Sequence, residues 1–333
     1  MRDFCSKGAT KICIYGAGSV GGLIGGVLAQ KGFAVSLIAR GDHLLALKNK
    51  GCTIQTEGKS FSVQVNCGEN PSEFGQQDII FLSVKVPALF SVVEGLAPLL
   101  GPQTIIVTAM NGIPWWFFKG DSATDRKIDL SILDPMGKIT KNVPTNRLIG
   151  CVVHLGAMVS EPGVIQHIAD NRLILGDATG ILGNQLNKLV SLFDDTLLDV
   201  RACSDLRQEV WIKVLGNFNF APISVLSGAT NGQIGKDTGL RKVAVDMFNE
   251  AAEAGRKIGL EPGMTAEKRI DLGASLGNFR TSMLQDFDRN RPPEIDAIVA
   301  AVIQIGRATK TPMPVSETIF ALVSAKAREL GLY

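Results

Sequence analysis

Hydrophobic and polar positions along the first two hundred residues alternate between two periods. Lys11–Tyr15 is a short β-type run, and residues 19–31 carry helical spacing. Residues 34–39 predict a second strand and Gly41–Lys50 a second helix. Cys52–Thr56 and residues 60–66 predict a hairpin around Glu57-Gly58-Lys59. Residues 78–84 are almost continuously apolar, as expected of a strand buried on both faces. A helix over 86–100 and a strand over 104–108 follow. This β-α-β-α rhythm predicts a parallel, doubly wound α/β sheet. Residues 121–147 are polar, contain two prolines and read as a long excursion. Three further strands, at 148–154, 164–168 and 172–175, are joined by Glu161-Pro162-Gly163 and Asp170-Asn171 and extend the sheet. From Asp205 the texture changes: 205–226, 240–258, 293–308 and 315–330 all carry helical spacing, with almost no strand candidates. The expected fold class is therefore α/β, a Rossmann-type N-terminal domain over 1–204 followed by an all-helical C-terminal domain over 205–333.

Composition narrows the function classes. Lys plus Arg number 34 against 32 Asp plus Glu, a net charge of +2, far from the basic bias of a nucleic-acid binder. The six cysteines form no C-x-x-C pair, which reads as free thiols in a reducing compartment. The three histidines have no metal-ligand spacing, so no metal site is expected. Residues 12–30 lack charge and resemble a membrane span, yet hold six glycines. Such density fits a strand, a tight turn and a closely packed helix better than a span. No membrane partner and no targeting segment are expected, and a cytoplasmic location follows.

The strongest chemical signal is Gly16-Ala17-Gly18-Ser19-Val20-Gly21, a G-x-G-x-x-G that follows a predicted strand and opens a predicted helix. The first glycine makes the turn, the second admits a pyrophosphate, and the third lets helix pack on strand. Free amides at the helix start attract the phosphate charge. The second strand ends in Arg40 where an NAD-specific site usually has an acid. A guanidinium there suits a 2′-phosphate, so NADP(H) is the expected cofactor.

Lys85 and Asn111 each follow a strand, at the carboxyl edge where open sheets bind ligands. Further on, Lys213 and Asn217 share a helix face among the apolar residues Trp211, Ile212, Val214 and Leu215. A lysine drawn into a cleft marks chemistry, whereas one on a surface helix only snorkels. Glu294 falls just inside a predicted helix after Pro292-Pro293, an ordinary first-turn acid when taken alone, and Ser282 is equally plain. The aromatic run Trp115-Trp116-Phe117-Phe118 reads as core packing or a subunit interface rather than a pocket wall.

The set G-A-G-S-V-G, S-V-K, N-G, W-x-K-x-x-x-N, S-M-L-Q-D and P-P-E-I-D, in this order, resembles the ketopantoate reductase (2-dehydropantoate 2-reductase) family over nearly the whole chain. The resemblance implies NADPH-dependent reduction of a small-molecule 2-oxo acid, ketopantoate, to pantoate, as in pantothenate and coenzyme A biosynthesis. It implies that Lys213 protonates the carbonyl oxygen and that Glu294 assists binding and catalysis. Asn111, Asn217 and Ser282 match substrate positions, and Arg40 and Lys85 match cofactor-side positions; Asn111 serves both. The oligomeric state is left open, a homodimer being one arrangement the sequence allows. One departure stands out: where the family usually has a second asparagine before a proline, this chain has Ala221. That motivates a second hypothesis, another small 2-oxo acid. A third is a non-catalytic NADP(H) sensor, against which the retention of Lys213, Asn217 and Glu294 argues.

Overall fold

A computed structural model describes residues 10–118, 128–180 and 182–333. By contacts the chain divides into a sheet unit, 1–110 with 138–206, and a helical unit, 111–137 with 207–333. This differs from a single cut after residue 204, because the segment after Asn111 groups with the helices.

In the sheet unit the strands are β1 (Lys11–Tyr15), β2 (Ala34–Ile38), β3 (Cys52–Thr56), β4 (Lys59–Val63), β5 (Asn66–Gly68), β6 (Gln77–Leu82), β7 (Leu100–Ala109), β8 (Leu148–Glu161), β9 (Val164–Asp177) and β10 (Asp199–Cys203). Their order is β4-β3-β9-β8-β7-β6-β1-β2-β5, with β10 also on β9. The run β8-β7-β6-β1-β2-β5 is parallel, while β9 is antiparallel to β8 and β4 to β3. The helices are α1 (Ser19–Gln30), α2 (Gly41–Lys50), α3 (Val86–Val92), α4 (Lys138–Asn142) and α5 (Gly183–Ser191). α1 lies unusually close to the sheet because its contact face is glycine. A Cβ on Gly25 would stand 2.5 Å from the Leu37 side chain, and one on Gly26 2.8 Å from Ile54. The core beneath is mainly aliphatic, with Ile12, Ile14, Leu23, Leu28, Leu37 and Ile79 fully enclosed beside the ring of Phe81.

Several elements differ from the sequence expectation. The three expected strands after residue 148 are two long ones in register from Ile149–Asp177 to Glu161–Val164. Asp170, expected to turn the chain, takes positive φ (50°) inside β9 and is the extra residue between the pairs Leu155–Asn171 and Gly156–Ala169. That is a bulge, which bends a strand without ending it. The helix expected over 86–100 stops at Val92 and continues as 3₁₀ turns. β10 was not anticipated. Of the expected excursion, residues 121–127 lie outside the described part; beyond them 3₁₀ turns lead into α4.

In the helical unit follow α6 (Leu206–Phe218), α7 (Ala221–Ser227), α8 (Asn231–Lys236), α9 (Thr238–Arg256), α10 (Ala266–Ala274), α11 (Ser282–Asp288), a π-helical turn (Asp296–Ala300), α12 (Ala301–Ala308) and α13 (Pro314–Glu329). The single helix expected over 205–226 breaks at Asn219-Phe220. Pro222 sits in the first turn of α7, where its missing N–H and fixed φ are tolerated, and it cannot continue α6. Trp211, fully buried, packs its indole over Gly255 of α9, where a Cβ would lie 2.6 Å away. The aromatic run joins this unit's core: Phe117 and Phe118 meet edge to face at 4.9 Å, with the Arg207 guanidinium 5.4 and 5.1 Å from their centroids. Among the described residues no helix is long and apolar enough to cross a membrane.

Candidate active site

In the sheet unit the glycine turn is built from three directions. The amides of Gly16 and Ala17 donate to the Ile38 carbonyl at the end of β2, at 3.3 and 2.9 Å. Ser83, just after β6, donates its hydroxyl to the Gly16 carbonyl at 2.9 Å. Gly16 has φ +101°, and a Cβ on Gly21 would meet the Ser83 Oγ at 2.2 Å and the Gly16 carbonyl at 2.3 Å. At Gly18 the situation is reversed: a Cβ would meet nothing within 4 Å. Gly18 caps α1 without a side-chain hydrogen bond, and the amides of Ser19, Val20 and Gly21 are left without an intrahelical partner. An open space over unpaired amides at the positive end of a 12-residue helix fits the phosphates of a dinucleotide.

His43, on α2, holds the turn from below. Its Nε2 lies 2.8 Å from the Ala17 carbonyl, and its Nδ1 accepts from the Gly163 amide at 3.0 Å. With Nδ1 accepting, the proton is on Nε2 and the ring is neutral. Burial lowers the pKa of His43, and the bond to Ala17 opposes that only in part. Neither His43 nor Ser83 stood out in the sequence as a site residue. Ser83 begins S-V-K, but nothing near His43 announces its role.

Arg40 is exposed immediately after β2, with its side chain making no cap to α2. The first carboxylate after β2 is Asp42, in the first turn of α2. Lys85 is half-buried at the N-cap of α3.

The helical unit contains the other candidate residues: Asn111, Lys213, Asn217, Ser282 and Glu294. On α6, Val210, Trp211, Val214, Leu215 and Phe218 are buried, which turns Lys213 and Asn217 to the half-exposed side of the helix. Asn111 opens a loop clamped against the π-helical turn. The Ile113 amide donates to the Ala297 carbonyl at 2.7 Å. Gly112, at φ +83°, leaves no room for a Cβ, which would lie 2.5 Å from that of Ala297. Glu294 stands just ahead of Ile295, the first helical residue, rather than inside the helix as expected. It is only 6% exposed, and its carbonyl accepts from the Ile298 amide at 3.1 Å. The π turn therefore fixes both Glu294 and the Asn111 loop; such turns recur at functional sites. Two residues on, Asp296 accepts from the Tyr333 hydroxyl, and burial raises its pKa against that bond. Ser282 is exposed at the start of α11, one residue after the Thr281 cap.

Ala221 is buried in the first turn of α7. Asn219 does not replace the missing asparagine, because it is 0% exposed with both amide atoms sealed and unpartnered. Cys13, Cys52, Cys67, Cys151 and Cys203 form no disulfide; burial pushes the Cys13 thiol up to about 12 and raises those of Cys52, Cys67 and Cys151 as well. Thiols raised in this way are not poised as nucleophiles. Among the described residues no cluster of three or more His, Cys, Asp or Glu is placed to hold a metal ion.

The family model for ketopantoate reductase PanE/ApbA matches residues 12–180, and that for its C-terminal part matches 205–327. A 2-dehydropantoate 2-reductase of Mesorhizobium japonicum is 36% identical over 97% of this chain and 99% of its own length. A Ralstonia solanacearum structure, provisionally assigned as a ketopantoate reductase, superposes with TM-score 0.90 at 38% identity, covering 97% of this chain and 99% of that one. A D-mandelate dehydrogenase in ternary complex with NADH and anilino(oxo)acetate has the same fold, with TM-score 0.82 at 21% identity over 97% of this chain and all of its own. The matches span both the sheet unit with its glycine turn and the helical unit with its lysine helix: the chain belongs to the ketopantoate reductase family, nicotinamide-linked oxidoreductases of the 2-dehydropantoate 2-reductase type.

Proposed function

We propose that this chain reduces 2-dehydropantoate with NADPH, with Lys213 as the proton donor. One observation supports this above others: the phosphate turn lies in the sheet unit, while Lys213, Asn217, Asn111, Ser282 and Glu294 all lie in the helical unit. Each half thus carries one of the two tasks that a dinucleotide-linked reductase must perform. The turn residues Gly16 to Gly21 would hold the pyrophosphate, with Ser83 and His43 fixing their geometry. Arg40 would pair with a 2′-phosphate, and Lys85 would lie on the cofactor side. A bound nicotinamide supplies the hydride.

Hydride addition to a ketone develops negative charge on oxygen. The Lys213 ammonium stabilises that charge and delivers the proton as it forms. Asn217, one turn on along the same face, and Asn111 and Ser282 orient the acid. Glu294, held at the start of the π turn, offers a buried carboxylate for a substrate hydroxyl or for the lysine. The fold itself does not choose the cofactor, since the D-mandelate dehydrogenase was captured with NADH. The choice of NADPH rests on Arg40 and on the absence of an acid between Ile38 and Gly41. Ala221 supports a second possibility, a related 2-oxo acid lacking the hydroxyl that a further asparagine would bind. The uncorrelated spacing of the thiols supports a cytoplasmic setting, and a homodimer is the assembly to look for by sedimentation.

The test is NADPH oxidation against ketopantoate, pyruvate, 2-oxoisovalerate and oxaloacetate, with Kd values for NADPH and NADH. Preferred turnover of ketopantoate and tighter NADPH binding are expected. Clear NADPH binding with no turnover of any acid would instead establish a sensor, and equal affinity for NADH would end the cofactor assignment.

A further inference from the structure

Gly216 stands between Lys213 and Asn217 on α6, and the space over it is filled by Arg269 from the middle of α10. A Cβ on Gly216 would lie 1.4 Å from Nη2 of Arg269, 2.3 Å from Cζ and 2.6 Å from Nε. The guanidinium therefore rests on bare helix backbone, and any side chain at 216 would evict it. Nε is sealed from solvent without a hydrogen-bond partner. Burial lowers the pKa of this guanidinium, and among the described residues no carboxylate or acceptor acts in the opposite direction. Four other arginines of the same unit, Arg241, Arg256, Arg280 and Arg307, pair with Asp271, Glu253, Asp288 and Glu317. A desolvated cation without a counter-charge is costly, and retaining one is explained when an anion arrives to pair with it. Arg269 as a whole is only half-buried, so its side chain is not closed off entirely.

The position of that cation matters. Residues three apart on a helix have Cβ atoms about 5–6 Å apart. The place of a Gly216 Cβ is nearly that of Nη2, so the guanidinium stands about one side-chain width from the base of Lys213. A 2-oxo acid carries its ketone and its carboxylate on neighbouring carbons. A receptor for the carboxylate must then lie beside the proton donor, on the same helix face or the next, as Arg269 does.

We propose that Arg269 is the carboxylate receptor of the helical unit, a substrate-binding residue that pairs with the acid while Lys213 serves the ketone. This rests on the role given to Lys213 above. The planar fork of a guanidinium matches a carboxylate bidentately, and its poor hydration suits a largely enclosed site. Gly216 is a specificity position in the same sense, since its missing side chain is the seat of the receptor. A 2-oxo diacid carries a second carboxylate of the same chemistry, and the choice of substrates separates the two.

The test uses the full-length enzyme with ketopantoate and oxaloacetate in steady state, and calorimetric titration with oxamate, an unreactive 2-oxo acid surrogate. Loss of a hydrogen bond to a charged group predicts that Arg269→Gln raises KM, and the Kd for oxamate, by about 10- to 100-fold. The Kd for NADPH should stay within about twofold and kcat should fall far less than KM rises. Arg269→Lys should recover part of the loss, and Gly216→Ala should reproduce it by displacing the guanidinium. A KM effect confined to oxaloacetate assigns Arg269 to the distal carboxylate; an effect on both acids and oxamate assigns it to the carboxylate beside the ketone. Unchanged KM and oxamate affinity in Arg269→Gln overturn the proposal. If that variant does not fold, wild-type KM in Gly216→Ala overturns it equally. Wild-type enzyme that turns over no acid and binds no oxamate would defeat the role of Lys213 as well, whereas normal turnover indifferent to Arg269 would defeat the receptor alone.

Discussion

Replacing Gly18 by alanine separates folding from cofactor binding. Gly18 has φ −75° and ψ −154°, an extended conformation open to alanine, and its added Cβ would meet no protein atom within 4 Å. The fold should therefore be indifferent, with stability changed by less than about 0.5 kcal/mol. On the proposed assignment, that open space is the one the pyrophosphate enters. A methyl group there holds the phosphate back by about 1.5 Å, roughly the length of the added bond. With about +0.5 charge at the helix end and an effective dielectric near 20, one phosphate charge gains about 2 kcal/mol at 4 Å. It gains about 1.5 kcal/mol at 5.5 Å. Two charges lose about 1 kcal/mol in all, and one weakened amide hydrogen bond adds about 1 kcal/mol more. The sum, about 2 kcal/mol, is a roughly 30-fold rise in the Kd for NADPH. Fluorescence titration of NADPH, beside thermal melts of the cofactor-free protein, measures both quantities. An unchanged Kd with an unchanged Tm would show that the phosphates do not approach Gly18, and the turn would lose its assignment. Gly21→Ala is the control, since its Cβ would strike the Gly16 carbonyl at 2.3 Å, so both stability and affinity should fall.

Lys213→Ala should lower kcat by at least about 100-fold, the scale of general acid catalysis, with NADPH affinity retained; an unaltered rate would remove Lys213 from the mechanism. Arg40→Ala should weaken NADPH by about 10-fold or more and leave NADH nearly unaffected, as two titrations would show. His43 is neutral in the fold and its pKa lies below the ordinary 6.5, chiefly through burial. The unfolded chain takes up a proton there first, so this group's stability contribution is complete above pH 6.5 and declines as pH falls below it. Melts at pH 7.5 and 5.5 should show a smaller acid-induced loss of Tm in His43→Gln than in wild type, and equal losses would refute the linkage. Trp211→Ala should destabilise the helical unit by about 3–5 kcal/mol in denaturant unfolding, because the indole is wholly enclosed over Gly255.

Much of this protein is local physics and was legible along the chain. β1 and α2 fall where alternation and helical spacing put them, and α1, α9 and α13 end within one or two residues of expectation. The glycine turn between β1 and α1 was readable because its glycines, its strand and its helix are sequence neighbours. Lys213 and Asn217 share a face because four residues make about one helical turn. The sequence by itself thus determined the fold class, the helical second half and the pair on α6. Only the tertiary structure decided which distant groups complete those local pieces. Ser83 reaches the Gly16 carbonyl across 67 positions, and the Gly163 amide reaches His43 across 120. Arg269 meets α6 at Gly216 only because α10 packs there, the Asn111 loop is set by the π turn after Glu294, and the expected turn at Asp170 becomes a bulge through pairing with β8. Periodicity records which face of an element is apolar. It carries no record of which element covers that face, because contact between remote segments is settled by packing and hydrogen-bond satisfaction over the whole fold.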